Sequence, residues 1–267
     1  MDALRQLDAW PARNAAAAVF DAGATLGAHG DRKWAVRWAS VTKLATALAA
    51  LVAAEEGVVD LDGAAGPEGA TIRHLLAHAS GLPFEGSVPI ARPGERRIYS
   101  NTGFDLLADE VATAAEMPFA EYLAAALLRP LGLSADLAGS AASGVAGSLD
   151  DLVALGRELL APTLVARETL AEATSVQFPG LNGVLPGLGR FEPNDWGLGF
   201  ELKDAKSPHW TGARNSPRTF GHFGASGTFL WVDPEAGVGC ACLTDLEFGD
   251  WALEAWPRLA DAVLAED

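Results

Sequence analysis

A hydroxyl and an amine one helical turn apart can serve as nucleophile and base, and Ser40-Val41-Thr42-Lys43 supplies that pair. Just beyond it, Leu44, Ala47, Leu48, Leu51 and Val52 recur at the three-and-four spacing of a buried helix face. Alanine and leucine, which dominate this run, are also the strongest helix formers. The pattern predicts a buried helix with Ser40 at or just before its N-terminus and Lys43 one turn further on, on the same face. Unpaired backbone N–H groups and the positive end of the helix dipole favour a developing anion there. A lysine pinned on an apolar helix loses solvation, which lowers its pKa and lets it take a proton. Taken alone, the spacing fits equally a helix cap followed by a solvated first-turn lysine.

Two further stretches carry groups that can act chemically. Tyr99-Ser100-Asn101 lies among polar residues in a turn ahead of a helical pattern. Phe220-Gly221-His222-Phe223-Gly224-Ala225-Ser226-Gly227 is rich in small residues that let a ligand come close to the backbone. Each is weak by itself, since Tyr-x-Asn arises by chance and a histidine among glycines can be a satisfied turn residue. His74 and His78 are four apart, a metal-binding spacing, but the acid expected between them in the zinc-protease motif is missing. A structural role is expected for both, with no metal and no cofactor. Cys240 and Cys242 alternate in an apolar run, so they should share one face of a strand, a geometry unsuited to a disulfide between them. Two buried free thiols are expected, in keeping with a reducing compartment.

The surrounding elements must hold these groups. Ala15 to Asp21 and Ala24 to His29 read as a β-hairpin, and Trp34, Val36 and Trp38 alternate on the way into Ser40. Gly57 is the expected C-cap of the first helix. A short helix capped by Thr71 follows and stops at Ser80-Gly81-Leu82-Pro83. Helices are predicted over Asn101 to Ala115, Phe119 to Leu128, from a capping-box-like Ser148-Leu149-Asp150-Asp151 through Leu160, and over Ala166 to Thr174. Ser134 to Gly147 reads as an ordered loop, so residues 61–180 read as helical. Trp196 to Leu202 alternates again. Gly227 to Val232 and Gly237 to Thr244 are strands joined by the turn Asp233-Pro234-Glu235-Ala236-Gly237. Trp251 to Ala265 returns to helical spacing around Pro257. The expected fold is α/β (α+β): an antiparallel sheet flanked by terminal helices, with residues 1–60 and 181–267 forming one lobe and residues 61–180 an inserted all-helical lobe. The active site is expected between them.

Composition bounds the partners. The 267 residues are 49% hydrophobic and 20% charged, ordinary for a globular chain with a sizeable core, and the net charge is −16 from 35 acidic and 19 basic residues. Both nucleic acid and an anionic membrane require basic surface, so neither is expected as a partner. No apolar run near the N-terminus is long enough for a signal-peptide core or a membrane span, and the chain reads as cytoplasmic.

Taken together and in this order, the stretches resemble the serine β-lactamase and penicillin-binding-protein family, in the branch that includes class C β-lactamases, serine D-peptidases and related esterases. Ser40-Val41-Thr42-Lys43 is similar to the nucleophile motif and Tyr99-Ser100-Asn101 to the second motif in its tyrosine form. His222-Phe223-Gly224 looks like the third motif, with histidine where lysine usually stands. His74 to Pro83, Pro130-Leu131-Gly132-Leu133 and Trp196-Gly197-Leu198-Gly199-Phe200 also resemble family segments, so the likeness covers most of the chain. It implies a β-lactamase/transpeptidase-like fold and an acyl-enzyme on Ser40. Lys43 and Tyr99 would share the transfer of its proton to the leaving group. A Lys43 ammonium would lower the tyrosine's pKa and stabilise a phenolate base. Asn101 would offer donor and acceptor to the substrate's amide, and the backbone N–H groups of Ser40 and Ala225, beside Gly224, would form the oxyanion hole.

The histidine is the main departure from the pattern. Neutral imidazole offers the substrate one N–H but not the full charge of a lysine, which favours neutral esters or amides over carboxylate-bearing substrates. An arginine from a loop, among Arg92, Arg96, Arg97, Arg214 and Arg218, is the competing source of charge. The leading expectation is a serine hydrolase of esterase or D-amino-acid peptidase/amidase type, acting on a small-molecule ester, amide or peptide. The alternatives are a true β-lactamase or D-Ala-D-Ala carboxypeptidase, an acyltransferase, and a non-catalytic binding protein that keeps the fold.

Overall fold

The computed structural model describes residues 1–266. The N-terminal apolar runs form the antiparallel hairpin of β1 (Ala15–Phe20) and β2 (Thr25–His29). β3 (Ala35–Arg37) leads through a single tight turn, Ala39–Val41, into α1 (Thr42–Glu55). α1 is buried on every side from Thr42 to Ala53, more completely than a one-sided apolar stripe requires, because its small alanines let neighbours pack all round it. The chain continues through α2 (Ile72–Leu76), capped by Thr71, then β4 (Arg97–Ile98) and α3 (Asn101–Ala115), where the Ser100 hydroxyl accepts from the Gly103 amide at 2.9 Å. α4 (Phe119–Leu123) runs on through a wider turn to Leu128. β5 (Asp136–Leu137) and β6 (Val145–Ser148) precede α5 (Leu149–Leu160), which begins in the predicted capping box of Ser148 and Asp151. α6 (Arg167–Ala173), β7 (Gly183–Leu185), β8 (Gly189–Phe191), β9 (Glu201–Leu202), β10 (Phe220–Gly224), β11 (Thr228–Asp233), β12 (Val238–Thr244) and α7 (Asp250–Val263) complete it.

Strands from both ends of the chain form one six-stranded antiparallel sheet in the order β2-β1-β12-β11-β10-β9. Alternate side chains go to opposite cores. Ala16, Ala18, Phe20, Leu230, Val232, Ala241 and Leu243 pack in the core that contains α1 and α5. Ala17, Val19, Phe229, Trp231, Cys240 and Cys242 pack against Leu4, Leu7, Trp256 and Leu259, the apolar faces of the first turns and of α7. Burial on both faces accounts for the continuous apolar stretch of residues 229–232 in β11 and the absence of charge in β12. Cys240 and Cys242 share one face as expected and are free and buried, with their thiol pKa values pushed up by that burial. Pro257 lies inside α7, which continues past it.

Several local readings differ from the structure. Within the stretch read as a loop, β6 pairs with both β3 and β5, so this segment closes over the start of α1 as a small sheet. The segment Trp196 to Leu202 alternates in sequence, yet only Glu201–Leu202 is strand, because Gly199 turns the chain at φ +86°. The glycine-rich Phe220–Gly224, given no element by its sequence, is itself a strand lying between β11 and β9. Among the described residues no single helix is long and apolar enough to cross a membrane, and no group of three or more His, Cys, Asp or Glu side chains could hold a metal ion.

Candidate active site

Three separate segments bring their reactive groups to one point. Ser40 sits in the turn before α1, Lys43 in the first turn of α1, and Tyr99 between β4 and α3. Ala39, just before the serine, adopts a left-handed backbone with φ +46°, a conformation that costs energy for a residue with a Cβ and needs support from its surroundings. That support comes from β10. A Cβ added to Gly224 would lie 2.4 Å from the Trp38 carbonyl oxygen and 3.0 Å from the Ala39 Cβ, so only glycine lets the strand press against the serine turn. Thr228 Oγ1 ties the same turn down by donating to the Trp38 carbonyl at 2.8 Å. Ala225 follows at the exposed end of β10 and lines a hollow of about 160 Å³ together with Ser40.

Lys43 is fully buried, and burial holds its pKa down to about 7, with Asp105 opposing the shift. Its Nζ lies 2.7 Å from Asn101 Oδ1, 3.0 Å from the Ala142 carbonyl and 3.5 Å from Ser40 Oγ. A neutral amine has two N–H donors and one lone pair. Asn101 Oδ1 and the Ala142 carbonyl can only accept, so in the neutral amine they take both N–H groups and leave the lone pair free, 3.5 Å from Ser40 Oγ. The sequence carries no signal for the Ala142 contact, which comes from the segment that closes over α1. The same contacts narrow the expected role of Asn101, because its acceptor oxygen is held by Lys43 and only its Nδ2 group is left to meet a substrate.

The expected lowering of Tyr99 by Lys43 is not what the structure shows. Nζ sits 4.6 Å above the centre of the Tyr99 ring and gives its hydrogen bonds elsewhere. Burial pushes the phenol pKa up, and a hydrogen bond with Ser40 only partly opposes this. Tyr99 is therefore a protonated phenol. Its hydroxyl lies 3.3 Å from His222 Nε2. His222 Nδ1 lies 2.7 Å from the Phe223 carbonyl, which can only accept, so the imidazole proton is on Nδ1 and Nε2 accepts from Tyr99. This corrects the expected role of His222, whose N–H is spent on its own strand rather than offered to a substrate. Burial, reinforced by the Lys43 charge, pulls its pKa down to about 3, so it is uncharged near neutral pH.

A second layer braces these groups. His78 stands directly behind the site: Nδ1 accepts from the Ser100 amide at 3.1 Å, and its ring lies 4.6 Å from Tyr99 and meets Trp196 at 4.7 Å and 89°. Glu201 pairs with Gly221 across β9 and β10, next to His222. Its buried carboxylate receives Lys206 Nζ at 2.6 Å and His209 Nε2 and Trp210 Nε1 at 2.8 Å each, which holds its pKa down to about 2 despite the desolvation. Neither the glutamate nor its partners carried a motif in the sequence. Among the loop arginines weighed as a source of charge, Arg97 is buried and gives its guanidinium to the carbonyls of Ala77, Gln177, Phe178 and Asn194. Arg96 alone of the other four lines a hollow near the site.

Known proteins share this fold. A beta-lactamase family model matches residues 6–265. The crystal structure of a beta-lactamase, Mb2281c, from Mycobacterium bovis superposes with a TM-score of 0.98 and 52% identity, over 99% of this chain and 98% of that one. EstCE1, described as a hydrolase with promiscuous acyltransferase activity, shares the fold with a TM-score of 0.79 and 18% identity, over 98% of this chain and 96% of that one. Penicillin-binding protein 4* of Bacillus subtilis (strain 168) is 29% identical over 129 residues, a match spanning 36% of this chain and 29% of that protein.

Proposed function

The chain belongs to the beta-lactamase family, and from that membership we propose that it is a serine hydrolase that forms an acyl-enzyme on Ser40 from neutral esters or amides. The observation that carries the reading is the buried Lys43 amine, held by Asn101 Oδ1 and the Ala142 carbonyl with Nζ 3.5 Å from Ser40 Oγ. In the proposed cycle Lys43 takes the Ser40 proton as Oγ attacks the carbonyl carbon. The oxyanion meets the backbone N–H groups of Ser40 and Ala225, each such donor being worth about a hundred- to a thousand-fold in rate. The Tyr99 O–H turns from His222 Nε2 to the leaving oxygen or nitrogen and gives up its proton, and the third N–H of the Lys43 ammonium, which neither Asn101 nor Ala142 takes, restores it. Water then attacks the acyl-enzyme with the same groups acting in reverse. Between turnovers the Nε2 lone pair of His222 holds the Tyr99 hydroxyl in place.

The preference for neutral substrates follows from His222, which lacks both a charge and an N–H to offer a carboxylate. The test pairs wild type with Ser40→Ala. Wild type should add one fluorophosphonate by intact mass and should hydrolyse p-nitrophenyl acetate with a far higher kcat/KM than nitrocefin. Ser40→Ala should do neither while keeping its circular dichroism spectrum, since at most a helix-start hydroxyl worth about 1 kcal/mol is removed. Equal activity in the variant would take Ser40 out of the mechanism, and faster turnover of nitrocefin than of the ester would reverse the substrate reading.

A further inference from the structure

The hollow that holds Ser40 adjoins a larger groove of about 660 Å³, with Phe84, Tyr99 and Pro186 lining both. Beyond those shared residues the groove is walled by Ile90, Ile98 and Val184. Phe84, Ile90 and Val184 are 50%, 55% and 54% exposed, so large apolar side chains face water around one opening. Isolated exposed apolar residues are ordinary, but a contiguous apolar lip marks a surface that is covered when the protein works. The charged residues at its edge do not counter this character. Arg190 is paired with Glu192 at 2.5 Å, Arg96 gives an N–H to the Ile90 carbonyl at 2.9 Å, and Arg97 is spent on backbone carbonyls.

We infer that this groove is a binding site for the leaving-group half of the substrate, and that it selects esters of apolar, chain-bearing alcohols. The inference rests on the hydrolase reading above. The scissile carbonyl must sit beside Ser40 and the Ala225 amide, which both line the small hollow, so the acyl half has little room and must be short. The leaving oxygen must lie within reach of the group that protonates it, and Tyr99 is, of the three residues that line both hollow and groove, the one with a proton to give. A chain attached to that oxygen therefore runs out past Tyr99 along Phe84 and Pro186 toward Val184.

The experiment measures kcat/KM in a pH-stat for two ester series: acetates of ethanol, butanol and hexanol, and ethyl esters of acetic, butyric and hexanoic acids. Each methylene added to the alcohol should raise kcat/KM about two- to fourfold, the value of moving one methylene partly or wholly out of water. Lengthening the acyl chain should give no rise. Val184→Asp, a change at an exposed strand position, should lower the hexyl-to-ethyl ratio by about tenfold or more by placing a charge against the chain. Hydrolysis of ethyl acetate with no gain along the alcohol series, or with the gain confined to the acyl series, would overturn the groove assignment and leave the hydrolase reading standing. Absence of any ester hydrolysis, together with no fluorophosphonate adduct, would remove both.

Discussion

Replacing Lys43 by methionine separates the base from the fold. The lysine is fully buried and its pKa is pulled from 10.5 to about 7. In the unfolded chain the amine keeps its ordinary pKa. Between about pH 7 and about 10.5 the unfolded state therefore binds more protons than the folded state, and stability rises with pH across that window. Below pH 7 both states are protonated, and the folded protein carries the whole cost of a desolvated ammonium. At about 1.4 kcal/mol per pH unit, that gap is roughly 5 kcal/mol. Methionine has similar length and no charge, so the variant loses this pH dependence. It also strands two acceptors, Asn101 Oδ1 and the Ala142 carbonyl, at about 1–3 kcal/mol each. The absolute stabilities thus partly offset, and the slope is the quantity to read. Urea unfolding of both proteins at pH 6, 7, 8 and 9 should show wild type gaining about 2–3 kcal/mol on the variant between pH 6 and 9. In parallel, wild-type kcat/KM for p-nitrophenyl acetate should rise through an apparent pKa near 7 and level off above it, while the variant is inactive throughout. Parallel stability curves, or a rate that stays flat down to pH 5.5, would show that the amine is not held neutral by burial and that the proton goes elsewhere.

Two further perturbations test the supporting groups. Glu201→Gln leaves Lys206 and His209 buried without their carboxylate, so urea unfolding at pH 7 should show a loss of about 3–5 kcal/mol. Because the Glu201 pKa is depressed to about 2, wild type should lose its advantage over this variant as pH falls from the ordinary carboxylate range toward that value, and a constant difference across that range would refute the assignment. His222→Lys places a charge where the neutral imidazole stands and should raise the nitrocefin-to-ester ratio of kcat/KM, whereas an unchanged ratio would return attention to Arg96.

What the sequence determined alone was settled by near neighbours. The three-and-four spacing after Lys43, the Ser100 and Ser148 caps, and the Asp233 to Gly237 turn each depend on residues a few positions apart, and each appears where the pattern places it. The order of motifs likewise identified the family and the residues that meet at Ser40. The sequence did not determine the state of those residues. Whether Lys43 keeps a proton depends on burial by α3 and the segment before β6, and its two acceptors lie at Asn101 and Ala142, far along the chain. The raised phenol pKa of Tyr99 and the Nδ1 proton of His222 have the same origin. Desolvation and hydrogen-bond direction are properties of the packed interior, created by groups that adjoin only once the chain has folded, so only the tertiary structure decided where the protons sit and which partners hold them.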